Sequence, residues 1–88
     1  MSGLWIAILN ISTRTADKIQ NLHHISPAEV REAVVAKYNL AFNWDVDEVR
    51  GKRAVVTTQI QGRTVAVVLY PVEHPLGDVY NLGSVYFI

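Results

Sequence analysis

Apolar residues recur along this chain in several rhythms, and each predicts a different kind of element. Leu4 to Ile11 (LWIAILNI) is rich in Leu, Ile and Trp and contains no breaker, so it predicts a first strand buried on both faces. The stretch from Asn10 to Thr15 supplies several candidate N-caps. From Thr13 to about His24, the residues Ala16, Ile19, Leu22 and His23 fall at helical spacing and predict a short amphipathic helix. A sharper signal follows. Ser26, Pro27 and Glu29 place an N-cap serine, a proline in the first helical position and a glutamate three residues after the cap. The second helix should therefore start at Ser26 and run to about Lys37, with Val30, Ala33 and Val34 facing the core and Glu29, Arg31, Glu32 and Lys37 facing outward.

Between Tyr38 and Lys52 no sustained period is read, and the segment is expected to be an extended loop pinned by Phe42 and Trp44. Strand patterning returns with Ala54 to Ile60 (AVVTTQI), a turn at Gln61 and Gly62, and the nearly all-apolar run from Arg63 to Tyr70. This is a hairpin whose second strand is central. Pro71, Pro75 and Gly77 mark the next loop, and Val79 to Ile88 forms a last strand. The expected order is β-α-α-β-β-β: an α+β fold with two helices on one face of a mostly antiparallel four-stranded sheet.

Length and composition narrow this picture further. At 88 residues the chain makes one small domain, residues 1–88, burying somewhat under two-thirds of its unfolded surface. Half the residues are hydrophobic and 18% are charged, which excludes a disordered chain. Zero cysteines exclude a disulfide scaffold and thiolate metal sites, and suit a reducing compartment. Eight Lys and Arg balance eight Asp and Glu, so binding to nucleic acid must rest on a local patch rather than on a global field. The Leu4–Leu9 run has no preceding Lys or Arg, no small-residue cleavage site and too little length to span a bilayer. It is read as part of the mature fold of a cytoplasmic protein without membrane attachment.

Few residues can carry chemistry. His23 and His24 are helix neighbours pointing about 100° apart, and His74 lies in a Pro-rich loop, so no metal set forms and no cofactor is expected. The basic residues offer more. Arg50, Lys52 and Arg53 cluster at the open mouth of the hairpin. Arg63 starts the strand after the turn, opposite Ile60 if the turn is Gln61–Gly62. Histidine, arginine and lysine together can cleave RNA without a metal. A base takes the 2′-OH proton, cations stabilise the phosphorane and an acid protonates the 5′ oxygen. On that reading His23 or His24 transfers protons, since histidine alone has an ordinary pKa suited to neutral pH. Arg63 neutralises the phosphorane, and Arg50, Lys52 and Arg53 hold flanking phosphates. The plainer alternative makes RGKR a solvated loop, Arg63 a surface residue and one histidine a helix-end cap. Phe42 and Trp44 could stack on bases, although aromatics in so small a domain more often anchor its core.

The segment ADKIQNLHHISPAEVREAV, Ala16 to Val34, resembles small BrnT-type toxins of the RelE-like group in bacterial toxin–antitoxin pairs. In that family a helix ends in N-x-x-K-H-G-[VI]-S and the next begins P/F-E-E-[VA]. Residues Asn21 to Val30 can be laid on this pattern, and the G-R of Gly62 and Arg63 before a β-branched run is also similar, as is the order of elements. The match covers about the central two-thirds of the chain with short motifs. The pattern's lysine is Leu22 here and its glycine is His24, which leaves the register of the histidine open between His23 and His24. The last strand, VYNLGSVYFI, lacks the family's usual arginine. The resemblance implies a metal-independent endoribonuclease that arrests growth and is held inactive by a co-encoded antitoxin. The other reading is a non-catalytic interaction module. Under either, the apolar C-terminal strand offers an edge to an antitoxin segment or to a second copy of the chain.

Overall fold

Backbone pairing, more than helix packing, organises this chain. The computed structural model of the protein describes residues 3–88 and holds seven elements. They are β1 (Ile8–Asn10), α1 (Thr13–His23), α2 (Pro27–Val34), β2 (Ala41–Asp47), β3 (Gly51–Ile60), β4 (Arg63–Pro71) and β5 (Val79–Phe87). The strands form one sheet in the order β1-β5-β4-β3-β2, antiparallel throughout except for β1 beside β5. The fold is α+β, with β4 at the centre of the sheet as its apolar run requires. The sheet has five strands and one parallel pair, where a mostly antiparallel sheet of four strands was expected.

The hairpin of β3 and β4 follows its turn chemistry. Gln61 and Gly62 both take positive φ, 56° and 70°. That is the backbone of a two-residue turn whose twist matches the strands it joins. Ile60 consequently faces Arg63, and Val56 faces Val67. Alternate residues Ala54, Val56, Val65, Val67, Leu69, Leu82 and Val85 join Ile19 of α1 and Val30 and Val34 of α2 in one buried cluster. Both helices therefore cover the same face of the sheet.

Four expectations need correction. The missed strand is β2: Phe42, Trp44 and Val46 alternate with Asn43, Asp45 and Asp47, and the segment pairs with β3 from Ala41↔Thr57 to Asp47↔Gly51. Its turn is closed by Asp47, whose Oδ1 accepts the amides of Val49 (2.8 Å) and Arg50 (2.9 Å), and by Gly51 at φ 84°. Phe42 packs against the core, whereas Trp44 is 44% exposed and stands edge-on to Phe42 rather than inside the core. Secondly, the first strand is short and not buried on both faces. Leu4, Ile6 and Leu9 enter the core, while Ala7 and Ile8 are exposed beside β5. Thirdly, α2 ends at Val34, because Val35 turns extended and the amide of Ala36 donates to the Ile6 carbonyl at 2.9 Å. Finally, Leu22 is 63% exposed rather than core-facing, and Ile19 alone of α1 is fully buried. No helix of the described residues is long and apolar enough to cross a membrane.

Candidate active site

Two reciprocal caps set the corner where α1 meets α2. The Ser26 Oγ accepts the Glu29 amide (3.2 Å), and Glu29 Oε1 accepts the Ser26 amide (3.0 Å). Helix α1 is capped two residues before Ser26, by His24 in the left-handed conformation (φ 55°, ψ 37°) with its amide donating to Gln20 O. The hairpin turn then clamps this corner. Gln61 Nε2 donates to the His24 carbonyl (2.9 Å) and to both Glu29 carboxylate oxygens (3.2 and 3.0 Å). These bonds, the Ser26 amide foremost and Gln61 next, hold the Glu29 carboxyl below its ordinary range.

The clamp brings the end of α1 to the start of β4. Phe87, opposite Val65 at the end of β5, is the meeting point. The His23 ring stands edge-on to Phe87 at 5.7 Å and 89°, and the Arg63 guanidinium lies 3.7 Å from the centroid of the same ring. His23 and Arg63, distant in sequence, thus share one aromatic platform. Beside them a cleft of about 210 Å³ runs between α1 and β5, with Lys18, Leu22 and His23 on one wall and Ser84, Val85 and Tyr86 on the other. Among the described residues neither Lys18 nor Arg63 forms an ion pair. A phosphodiester entering here would meet the His23 imidazole and the Lys18 ammonium, with the Arg63 guanidinium on the neighbouring Phe87 ring, and among the described residues no carboxylate pairs with Lys18 or Arg63.

His24 is placed differently. Its backbone is held by the turn, and its left-handed φ makes it the structural cap of α1. The mouth residues are also apart from the His23 cluster. Arg53 lies seven strand residues from Ile60, the partner of Arg63, which is about 23 Å at the rise of a strand. Nor do the three point together. Arg53 is bound to Asp45 (2.8 Å) and Asp47 (3.5 Å), Lys52 lies 4.2 Å from the Trp44 ring centroid, and Arg50 lies 3.8 Å from that of Tyr70. Strand alternation sends Arg53 and Lys52 to opposite faces. The Arg53 bond pulls the Asp45 carboxyl below its ordinary range, and the Arg50 and Val49 amides do the same for Asp47. The structure therefore brings His23 and Arg63 together, leaves His24 as a cap and puts Arg50, Lys52 and Arg53 at the other end of the hairpin.

Sequence reasoning missed Lys18, Ser84, Tyr86 and Phe87 as neighbours of this cluster. A signal was present in α1, where Lys18, Ile19, Leu22 and His23 fall at i, i+1, i+4 and i+5 and so share one face. Nothing local marked Phe87. Among the described residues no three His, Cys, Asp or Glu side chains converge as metal ligands would. Comparison of the chain with family models, with curated proteins and with solved structures returned no match.

Proposed function

We propose that this protein is the toxin component of a toxin–antitoxin pair, a metal-independent endoribonuclease of the RelE-like kind, working in the cytoplasm. The observation that carries the reading is the meeting of His23 and Arg63 on Phe87 beside an acid-free cleft. In the reaction the His23 imidazole takes the 2′-OH proton, and the 2′ oxygen bonds to phosphorus. Arg63 stabilises the charge that builds on the phosphorane oxygens, the bond to the 5′ oxygen breaks, and Lys18 supplies the proton to that leaving oxygen. The products are a 2′,3′-cyclic phosphate and a 5′-hydroxyl. The left-handed cap at His24 supports the resemblance to BrnT-type toxins as well. Glycine takes this conformation most readily, so His24 stands where the family pattern has glycine and His23 where it has histidine.

The test is expression of the chain alone, followed by incubation of the purified protein with RNA in excess chelator. Growth arrest and fragments ending in cyclic phosphate are expected. Normal growth together with intact RNA would overturn the proposal.

A second reading, an interaction module that cuts nothing, is favoured by one feature. Among the described residues strand β2 has no neighbour on its outer edge, and Trp44 (44% exposed) and Val46 (73% exposed) stand on it beside Lys52. Such an edge accepts an added strand. In the toxin scheme its occupant is the antitoxin. Slowed hydrogen exchange at β2 on addition of a co-encoded partner, without any RNA cleavage by the free chain, would favour the module. Pairing between copies through β5 instead, whose edge beyond Asn81 carries no strand, would slow exchange at Leu82 to Phe87 with rising protein concentration.

A further inference from the structure

A second cleft, of about 470 Å³, opens where β1 leaves the sheet and α1 begins. Its walls bring together Arg31 of α2, Arg50 of the β2–β3 turn, Asn10, Asn81, Ser12 and Thr15. Among the described residues no carboxylate lines it. In a chain whose charges cancel, two arginines facing one cleft without an acid are a marked departure from even mixing. Arg53, only three residues from Arg50, shows the usual arrangement with two aspartates.

Both guanidinium groups are held in place before any ligand arrives. Arg31 donates from Nε and Nη2 to the Leu9 carbonyl (3.4 and 3.3 Å), which leaves its Nη1 hydrogens without a protein partner. Arg50 is stacked 3.8 Å from the centre of the Tyr70 ring, and the Tyr70 hydroxyl donates in turn to Asp47 Oδ2 (3.4 Å). The one hydrogen bond from Arg50 to an acid comes from its backbone amide, so its N–H fork remains free. Neutral donors complete the wall. Asn10 Nδ2 donates to Asn81 Oδ1 (3.1 Å), which turns the Asn81 amide hydrogens away from that bond. The first turn of α1 contains no acid to compete for an anion. Two oriented forks with several neutral donors match an anion bearing three or four oxygens better than a single carboxylate.

We infer that this cleft is a phosphate-binding site. If the reading of the protein as a ribonuclease holds, the phosphate belongs to the backbone of the same RNA strand that is cut at His23 and Arg63. Both clefts lie between α1 and β5, this one at Leu82 and the other at Ser84 to Tyr86. From Thr15 on the wall of this cleft to His23 in the other is eight residues of α1, about 12 Å at the rise of a helix and within reach of a few nucleotides of one strand. The site would fix register along the strand without touching the reacting phosphate.

The first arm of the test titrates the full chain with inorganic phosphate and follows ¹H–¹⁵N spectra. Saturable shifts are expected at the Thr13, Arg14 and Thr15 amides and at the Arg31 and Arg50 Nε, with none when chloride is added at equal ionic strength. Arg50→Gln alone, on an exposed turn, should weaken half-saturation several-fold, and Arg31→Gln with Arg50→Gln should weaken it about tenfold or more. Absence of saturation, or equal shifts at Lys52 and Arg53, overturns the site. The second arm measures anisotropy of a labelled single-stranded RNA octamer over a salt series. The double variant should flatten the slope of log affinity against log salt by about 0.7 for the lost phosphate contact. Phosphate binding with an unchanged RNA slope would leave the cleft a site for a small phosphorylated molecule and overturn its link to RNA. Phosphate binding by a chain that neither binds nor cuts RNA would overturn the proposed function while leaving the phosphate site standing.

Discussion

Gly83 is the position where the smallest possible side chain should have the largest effect. It sits beside the register shift that separates Val68↔Ser84 from Leu69↔Leu82 in the pairing of β4 with β5. A Cβ added there would run into Tyr70 Cε2 and lie 3.0 Å from Cδ2 and 3.3 Å from the Val68 carbonyl oxygen. The clash is with the body of a ring that cannot easily retreat. Tyr70 is 8% exposed, covered by the Arg50 guanidinium and tied through its hydroxyl to Asp47. Gly83→Ala must therefore displace the ring or open the strand pair, and overpacking of this kind costs about 1–3 kcal/mol. For a domain of this length that corresponds to a fall in Tm of roughly 5–20 °C. Urea unfolding of Gly83→Ala, of Tyr70→Ala and of the double variant separates the causes. With Tyr70 shortened, the alanine should cost almost nothing, because in a strand Ala is otherwise preferred to Gly. The same penalty in both backgrounds would show that the ring is not its origin, and a neutral Gly83→Ala would refute the close packing itself.

Other consequences follow from the caps and charges. Ser26→Ala removes the acceptor for the Glu29 amide and should destabilise the protein by about 1 kcal/mol, read as a lower urea midpoint at unchanged slope. His24→Gly relieves a left-handed non-glycine residue while keeping the carbonyl that Gln61 grips, so it should stabilise by about 0.5–1 kcal/mol. Asp45, Asp47 and Glu29 all have folded pKa values lowered by their bonds. The stability they lend is present above the ordinary carboxylate range and is lost as pH falls through the folded values. A melting series should be flat near pH 6 and decline below about pH 4, with a shallower decline in Asp45→Asn. An acid limb identical in that variant would remove the Arg53 pair as a contributor.

What the sequence made legible were the features with local causes. The Ser26–Pro27–Glu29 start of α2 and the Gln61–Gly62 turn each depend on residues within four positions, and the turn then sets the whole β3–β4 register. That register is why Arg63 could be placed at the turn end, whereas which end of the hairpin meets the corner after His23 stayed open. Strand β2 was missed although Phe42, Trp44 and Val46 alternate, because the intervening positions are Asn43, Asp45 and Asp47, residues that disfavour strands and suit loops. The parallel pairing of β1 joins the two ends of the chain, Leu9 beside Tyr80, and nothing local specifies such a partner or its direction. For the same reason the two clefts were invisible. Each is assembled from elements whose sequence separation hides their contact, as with Arg31 and Arg50, or Lys18 and Tyr86. The basic cluster at the hairpin mouth looked like one patch only until strand alternation and Asp45 divided it.

In the proposed reaction His23, and not its neighbour, moves the proton. That role is tested most directly by single-turnover cleavage of an end-labelled RNA in excess chelator, comparing wild type with His23→Gln and His24→Gln after circular dichroism confirms that both variants are folded. A loss of about 10²-fold or more is expected for His23→Gln, and a rate within a few-fold of wild type for His24→Gln. Cleavage by His23→Gln at the wild-type rate would contradict it.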